Sequence, residues 1–208
     1  GNEDYVKQNG SFGLTTLRNR HVRVAGSELR FLFKGKSGRI WRLSLRNRRV
    51  ARIIRSCQEL PGQHLFQYLD DDKQPQKISS TDVNSYLREV SGREITAKDF
   101  RTWAATVEAA LAFQRLKSEG ATTKKQVRAV LSQVAERLGN TPAVCRKCYI
   151  HPEIVTACEL GEFDLGAIED QRDEDRLDLD RAERAVLRFL KSRIGRTSLD
   201  LPSAANKG

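Results

Sequence analysis

The sequence predicts an α+β protein that is mainly helical, with a small three-stranded antiparallel sheet near its start. Three observations carry this prediction: alternating apolar residues within residues 20–45, a helical spacing of apolar residues from residue 50 onward, and cap or turn residues beside most helical stretches. Side chains alternate faces along a strand, whereas a helix brings every third or fourth residue to one face. The 208 residues suffice for one or two domains with a buried core.

Three short runs with a period of two make up the predicted sheet. The apolar residues are Val22 and Val24 in the first run, Leu29, Phe31 and Phe33 in the second, and Trp41, Leu43 and Leu45 in the third. Gly26-Ser27 and the glycine-bounded stretch 35–38 separate the runs. Alternating runs joined by short glycine turns are typical of an antiparallel meander.

A helical spacing begins at Val50, where apolar residues recur at positions 50, 53, 54 and 57. Six further helical stretches follow, the last over residues 181–194. Their start and stop signals are Ser80-Thr81 and Ser91-Gly92, Thr96 with Asp99, Thr122-Thr123 and Gly139, Asn140-Thr141-Pro142, and His151-Pro152. These are the residue types that cap helices or end them.

The charge of the chain points to a polyanionic partner. The formal net charge is +10, from 37 basic and 27 acidic residues. Residues 1–160 carry 28 basic and 16 acidic residues (+12), and residues 161–208 carry 9 and 11 (−2). A basic surface of this kind favours nucleic acid as the partner, and a merely solvated basic surface is the alternative.

The sequence gives little support for a membrane protein, a secreted protein or a metal-binding protein. No run of 18 uncharged apolar residues occurs, and no charged and apolar leader opens the chain. Cys145-x-x-Cys148 with His151 and Cys158 offers soft ligands, but a second ligand pair is missing. We therefore expect no metal site, with Cys145 and Cys148 as small buried residues on one helix face. Four cysteines and no secretory signal fit a reducing cytoplasm.

Four residues could act on a phosphate, although each has an ordinary structural explanation. Lys36 follows Gly35 at a hairpin turn; a P-loop is rejected because Arg30 stands where its first glycine belongs. Arg101 could fork two donors onto a phosphate or form a surface ion pair. Asn140 could donate an amide hydrogen or cap a helix. Tyr149 could be a half-buried tyrosine with a solvated hydroxyl.

Four segments together resemble a known family. They are GSFGLTTLRNRHV at residues 10–22, FKGK at 33–36, KDFRTW at 98–103, and the stretch from GNTP at 139 through Tyr149. In this order they closely resemble the catalytic domain of a type IB DNA topoisomerase, of the small bacterial and poxvirus-like kind. The resemblance covers residues 1–160. It implies the helical catalytic fold shared by these topoisomerases and tyrosine recombinases.

The resemblance implies a role for each of the four residues. Tyr149 would attack a DNA phosphodiester and form a 3′-phosphotyrosyl link, and Lys36 would protonate the departing 5′-oxygen. Arg101 and Asn140 would hold the non-bridging oxygens; many relatives have histidine in place of Asn140, and both side chains can donate. Relaxation of supercoils would then proceed by strand rotation and religation, without metal, ATP or any other cofactor.

The remaining expectations follow from the same resemblance. Lys34, Lys98, Arg146 and Lys147 are the predicted DNA-binding residues. The expected partner is double-stranded DNA, and we expect a monomer, no membrane association, and a location in the bacterial cytoplasm at the nucleoid. Residues 1–160 would form the catalytic domain. Residues 161–208 would form a charged linker, a short helix and a disordered tail from Thr197.

Two departures and two alternatives accompany this interpretation. The family has a further catalytic arginine and a DNA-clamping domain upstream of the segment that starts here at Gly1. We therefore expect a truncated catalytic domain whose activity is impaired. A tyrosine recombinase or integrase is the alternative enzyme, although Lys98 stands where it usually has histidine. A non-catalytic DNA-binding fragment is the alternative outside enzymes.

Overall fold

The computed structural model describes residues 3–118, 120, 123–166 and 181–199. The chain forms two compact units, residues 1–97 and residues 98–208. The predicted fold class is confirmed, because the described residues are mainly helical and contain a three-stranded antiparallel sheet.

The first unit contains the sheet and three helices. In chain order its elements are α1 (Glu3–Asn9), β1 (Val22–Ala25), β2 (Glu28–Lys34), β3 (Ile40–Arg46), α2 (Arg48–Glu59), β4 (Gln67–Leu69), β5 (Pro75–Lys77) and α3 (Ser80–Ser91). Strand β2 lies between β1 and β3, and Phe31 pairs with Val22 on one side and Leu43 on the other. The predicted meander is therefore confirmed.

Helix α2 packs on the sheet through Val50, Ala51 and Ile54, whereas Ile53 is exposed. The Asn47 side chain caps it by accepting a hydrogen bond from the Val50 backbone N–H at 3.0 Å. Ala51 and Ile54 are buried. The core of this unit consists of Leu17, Val22, Leu29, Ala51, Ile54 and Leu65.

The sequence analysis missed the β4–β5 hairpin. Its strands are three residues each, and all but Gln67 are exposed. Polar and charged residues dominate residues 67–77, so no apolar alternation marks them. The pairing of Gln67 with Lys77 follows from the turn at 70–74, where the Asp70 carboxylate accepts the Gln74 backbone N–H at 2.8 Å.

The second unit is helical. Its elements are α4 (Ala97–Ser118), α5 (Lys124–Leu138), α6 (Pro142–Cys148), α7 (Pro152–Glu159) and α8 (Arg181–Leu199), with α4 beginning at the boundary between the units. Each of these five described helices contributes to its core, for example through Phe113, Val134, Cys145, Ile154 and Val186.

Helix α8 belongs to this core. Ala185, Val186, Phe189 and Leu190 are buried, and the Phe189 ring lies edge-on to Phe163 at 5.0 Å between centroids. The helix continues to Leu199, into the tail that we predicted to be disordered. The predicted charged linker around residues 169–175 and the tail from residue 200 lie outside the described residues.

None of the helices that the structure describes combines the length and apolar character needed to cross a membrane.

Candidate active site

Tyr149 directly follows helix α6, where two backbone hydrogen bonds fix the chain. The N–H groups of Tyr149 and Ile150 both donate to the Cys145 carbonyl oxygen, at 3.0 and 3.1 Å. Ile150 is buried and anchors the segment, while Tyr149 is half-buried. Thr141 begins the helix by accepting the Val144 N–H at 3.3 Å, and Pro142 occupies the first turn. The phenol therefore extends from a short, capped and anchored helix.

Arg101 lies against the tyrosine ring. It occupies the second turn of α4, and its Cζ lies 4.9 Å from the centroid of the Tyr149 ring. This is a cation–π distance. The guanidinium also donates to the Leu138 carbonyl oxygen at the end of α5. Because a guanidinium has five N–H donors, others stay available to a ligand.

Asn140 reaches the same carbonyl. Its Nδ2 lies 3.5 Å from the Leu138 oxygen, at the limit of a hydrogen bond. The position depends on Gly139, whose positive φ of 68° lets α5 end in a left-handed turn. The structure therefore brings Arg101, Asn140 and Tyr149 together.

The helix-cap interpretation of Asn140 is wrong. The Asn140 backbone N–H donates to the Ala135 carbonyl at 2.9 Å and closes the end of α5, so the next residue, Thr141, becomes the cap of α6. The Asn140 amide is thereby left beside Arg101.

The expectation that Cys145 and Cys148 are both buried is half wrong. Cys145 is fully buried, and burial raises the pKa of its thiol, an effect that the nearby Arg101 charge opposes. Cys148 is exposed, because it ends a helix of only seven residues. Among the described residues, no group of three side chains of the metal-ligating types lies together.

Lys36 and Lys34 belong to the first unit. Lys36 is exposed in the short turn that joins β2 to β3, where Ser37 and Gly38 have φ of 60° and 75°. The Gly35 N–H donates to the Arg39 carbonyl at 2.7 Å and closes the turn. Lys34 donates to the Asn9 carbonyl at 3.3 Å. Both lysines line an open groove of about 420 Å³.

The other predicted DNA-binding residues lie in the second unit. Lys98 and Lys147 are exposed. Arg146 is also exposed but forms a two-pronged ion pair with Glu159, at 2.9 and 3.1 Å. Its charge is therefore shared with a carboxylate, unlike the charge of a solvated lysine.

A family model supplies the comparison that decides membership. The model described as the catalytic core of eukaryotic DNA topoisomerase I matches residues 1–171. The chain belongs to the type IB DNA topoisomerase family. This confirms the family that the four sequence segments predicted.

Viral topoisomerases are among the relatives of the chain. It is 33% identical over 159 residues to DNA topoisomerase 1B of Acanthamoeba polyphaga mimivirus, covering 72% of this chain and 47% of that protein. It is 25% identical over 165 residues to DNA topoisomerase I of Monkeypox virus, covering 74% and 48%. The chain spans about half the length of these curated relatives. Because they are viral, the expected bacterial origin and nucleoid location are not supported.

Two groups at this candidate site escaped the sequence analysis. The Leu138 carbonyl, which Arg101 and Asn140 share, has no sequence signal because it is backbone. Thr106 bonds to the backbone that follows α6. The available signal was a polar residue in the apolar run of α4, between Ala105 and Val107.

Proposed function

We propose that this chain carries the chemistry of a DNA topoisomerase that relaxes supercoils through a covalent link between Tyr149 and a DNA 3′-phosphate. One observation carries the proposal: Arg101, Asn140 and Tyr149 meet around the end of α5 in a chain of the type IB family. An attacking hydroxyl beside a cation and an amide donor is the arrangement that phosphoryl transfer requires.

In the cleavage step, the Tyr149 oxygen forms a bond to phosphorus while the bond from phosphorus to the 5′-oxygen breaks. The phenol proton passes to solvent, and the Lys36 ammonium gives a proton to the departing oxygen. Arg101 and Asn140 donate to the non-bridging oxygens, where negative charge grows. Religation reverses these transfers, so the bond energy is retained in the covalent intermediate.

The decisive experiment traps the covalent link on an oligonucleotide duplex that loses its short 5′-hydroxyl strand after cleavage. The full-length protein should form an adduct that survives a denaturing gel. Tyr149→Phe should form none and bind DNA normally, because only the attacking oxygen is removed. Tyr86→Phe is the matched control, since Tyr86 is exposed on α3. An adduct with Tyr149→Phe would contradict the assignment.

Plasmid relaxation separates the proposal from a recombinase. Relaxation should proceed in excess EDTA without ATP, because Lys36, Arg101 and Asn140 supply the charge and donors that the reaction needs. It should occur on plasmids without paired target sites, which a recombinase requires. Adduct formation without such relaxation would favour the recombinase, and binding without an adduct would favour a non-catalytic module.

Double-stranded DNA is the proposed partner, bound by a monomer through Lys34, Lys98, Arg146 and Lys147. Phosphate contacts release condensed counterions, so log K should fall linearly with log salt concentration, with a slope of about −0.9 per phosphate neutralised. Removing one of the exposed lysines should make the slope shallower by about 0.9, the value for one phosphate contact. Removing Arg146 should change the slope less, because Glu159 already shares its charge.

A further inference from the structure

Thr106 is a buried polar side chain in the middle of α4. It is 2% exposed, and its neighbours Ala105 and Val107 belong to the hydrophobic core. It lies on the same helix as Arg101, five residues further along. A hydroxyl in such a place must find its hydrogen-bond partners within the protein.

The partners of the Thr106 hydroxyl connect α4 with the nucleophile segment. Its Oγ1 donates to the Thr102 carbonyl of its own helix at 2.8 Å. The same oxygen accepts the backbone N–H of His151 at 3.0 Å and lies 3.4 Å from the Tyr149 carbonyl oxygen. The bond to Thr102 would satisfy the hydroxyl alone, so the bond from His151 is an additional link across the two elements.

The position of this link matters because Tyr149 is held from both sides. On the N-terminal side, the Tyr149 N–H is bonded to Cys145 within α6. On the C-terminal side, the Thr106 hydroxyl holds the His151 N–H, and His151 in turn caps α7 by accepting the Glu153 N–H at 3.3 Å. Since Arg101 and Thr106 share one helix, this bond links the backbone after the tyrosine to the helix that carries the arginine.

We propose that Thr106 is a positioning residue for Tyr149, holding the backbone after the nucleophile at a fixed place relative to Arg101. The inference rests on the proposed function. Loss of the hydroxyl leaves the His151 N–H without its partner and frees the 149–151 backbone from α4. A displacement of the attacking oxygen by about 1 Å can cost about 10²-fold in rate.

The test compares Thr106→Val, which keeps the shape and removes the hydroxyl, with Thr106→Ser, which keeps the hydroxyl. In the full-length protein, Thr106→Val should slow single-turnover cleavage by about 10²-fold at saturating DNA and leave the Kd for DNA unchanged. Thr106→Ser should cleave at nearly the wild-type rate. Thr102→Val is the matched control, because the Thr102 hydroxyl donates to Lys98 within α4.

Two further measurements distinguish positioning from a general structural role. Amide hydrogen exchange at His151 should accelerate in Thr106→Val and stay slow in Thr106→Ser. A substrate with sulfur in place of the bridging 5′-oxygen should not restore the rate of Thr106→Val, because its defect lies in the nucleophile and not in protonation of the leaving group. If Thr106→Val does not fold, Thr106→Ala takes its place in each comparison.

Each outcome decides the inference. Cleavage by Thr106→Val at the wild-type rate, equal loss in Thr106→Ser, or full rescue by the sulfur substrate overturns the positioning role and leaves the proposed function intact. Absence of a Tyr149 adduct in the wild-type protein overturns both. Slow cleavage, normal DNA binding, rescue by serine and faster exchange at His151 together support it.

Discussion

Lys36 and Tyr149 are presented in opposite ways by the two units of the chain. Lys36 is exposed in a hairpin turn, which is fixed by the Gly35–Arg39 hydrogen bond and the positive φ values of Ser37 and Gly38. Tyr149 is half-buried, and both the backbone around it and its ring contact named partners in α4 and α6. The nucleophile is thus oriented by packing, whereas the lysine is oriented by the shape of a turn.

This difference follows from the two cores. The first unit rests on a small cluster under one face of the sheet, and the hairpin turn projects beyond it. The second unit has a core to which all five helices contribute, and Cys145 and Ile150 place the Tyr149 segment directly on it. We therefore expect changes at Lys36 to alter chemistry without altering stability, and changes around Tyr149 to couple the two.

Among the variants that test this comparison, we expect the largest effect on the cleavage rate at Lys36. Lys36→Ala should slow cleavage of ordinary DNA by about 10²–10⁴-fold, because a general acid is lost. A bridging 5′-sulfur should restore the rate, since a thiolate departs without a proton. Lys73→Ala is the matched control, because Lys73 is an exposed lysine in the turn between β4 and β5. Failure of sulfur to restore cleavage would show that Lys36 only contacts DNA.

Arg101→Ala should give the second largest loss of cleavage rate, and it should differ from Lys36→Ala in its response to the 5′-sulfur substrate. Arg101→Ala should reduce the cleavage rate by about 10²–10³-fold, because a preorganised donor to the non-bridging oxygens is removed. The sulfur substrate should not restore it. Arg137→Ala serves as the control, since Arg137 is an exposed arginine paired with Glu108 at 3.1 Å. Rescue of Arg101→Ala by sulfur would assign the arginine to the leaving group instead.

Gly35 tests whether the shape of the turn positions Lys36. A Cβ added at Gly35 would lie 2.5 Å from Trp41 Nε1, so the turn or the indole must move. Gly35→Ala should slow cleavage by about tenfold, less than a full 1 Å displacement would, and sulfur should restore it. Gly26→Ala, in the turn between β1 and β2, has open space around its Cβ and should cost stability only. Equal cleavage rates for the two variants would contradict this role.

The sequence was sufficient for features that depend on local patterns. The three strands of the sheet and the glycine ends of α3 and α5 all follow from residues close in the chain. The site residues themselves were predicted from the resemblance of four segments to a known family. Such a resemblance relates distant parts of the chain to each other, whereas periodicity describes only neighbouring residues.

The features that the sequence analysis missed lie at the end of a helix or depend on contacts between distant residues. A helix cap was one of two roles considered for Asn140, but its N–H completes the end of the preceding helix at Ala135. Cys148 was expected to be buried from its spacing to Cys145, but it is exposed at the end of α6. Thr106 acts through His151, which is 45 residues away. A single sequence contains no pattern that pairs Thr106 with His151.

A smaller effect, on stability alone, is expected where α8 meets α4. Trp103 Nε1 donates to the Glu183 carboxylate at 2.7 Å, and Trp103 is half-buried two residues after Arg101. Glu183→Gln should lower the free energy of unfolding of the second unit by about 1 kcal/mol, because a hydrogen bond to a charged acceptor weakens. Urea unfolding followed by Trp103 fluorescence in a Trp41→Phe background measures it. An unchanged midpoint would mean that the Trp103–Glu183 hydrogen bond does not contribute to holding α8.

The smallest expected effect is a dependence of the stability of the first unit on pH. His21 is buried, and its Nδ1 accepts the Arg18 backbone N–H at 3.0 Å, which requires an unprotonated nitrogen. Burial, followed by the charges of Arg20 and Arg18, lowers the pKa of His21 below its ordinary 6.5. The folded state therefore resists a proton that the unfolded state accepts. The contribution of His21 to the free energy of unfolding should be fully present above pH 6.5. It should be lost as the pH falls toward the lowered pKa.

This decline is measurable because each unit contains one of the two tryptophans, Trp41 and Trp103. In a Trp103→Phe background, Trp41 reports the urea midpoint of the first unit between pH 7.5 and 5.5. His21→Asn keeps an acceptor for the Arg18 N–H but does not titrate, so its midpoint should change less over this range. The pKa of His64 is also lowered, chiefly by burial, so part of the slope should remain and disappear in His21→Asn/His64→Gln. Hydrogen bonds lower the pKa values of the Glu28 and Asp82 carboxylates, so these groups titrate below this range. The change of the midpoint with pH therefore reports the histidines.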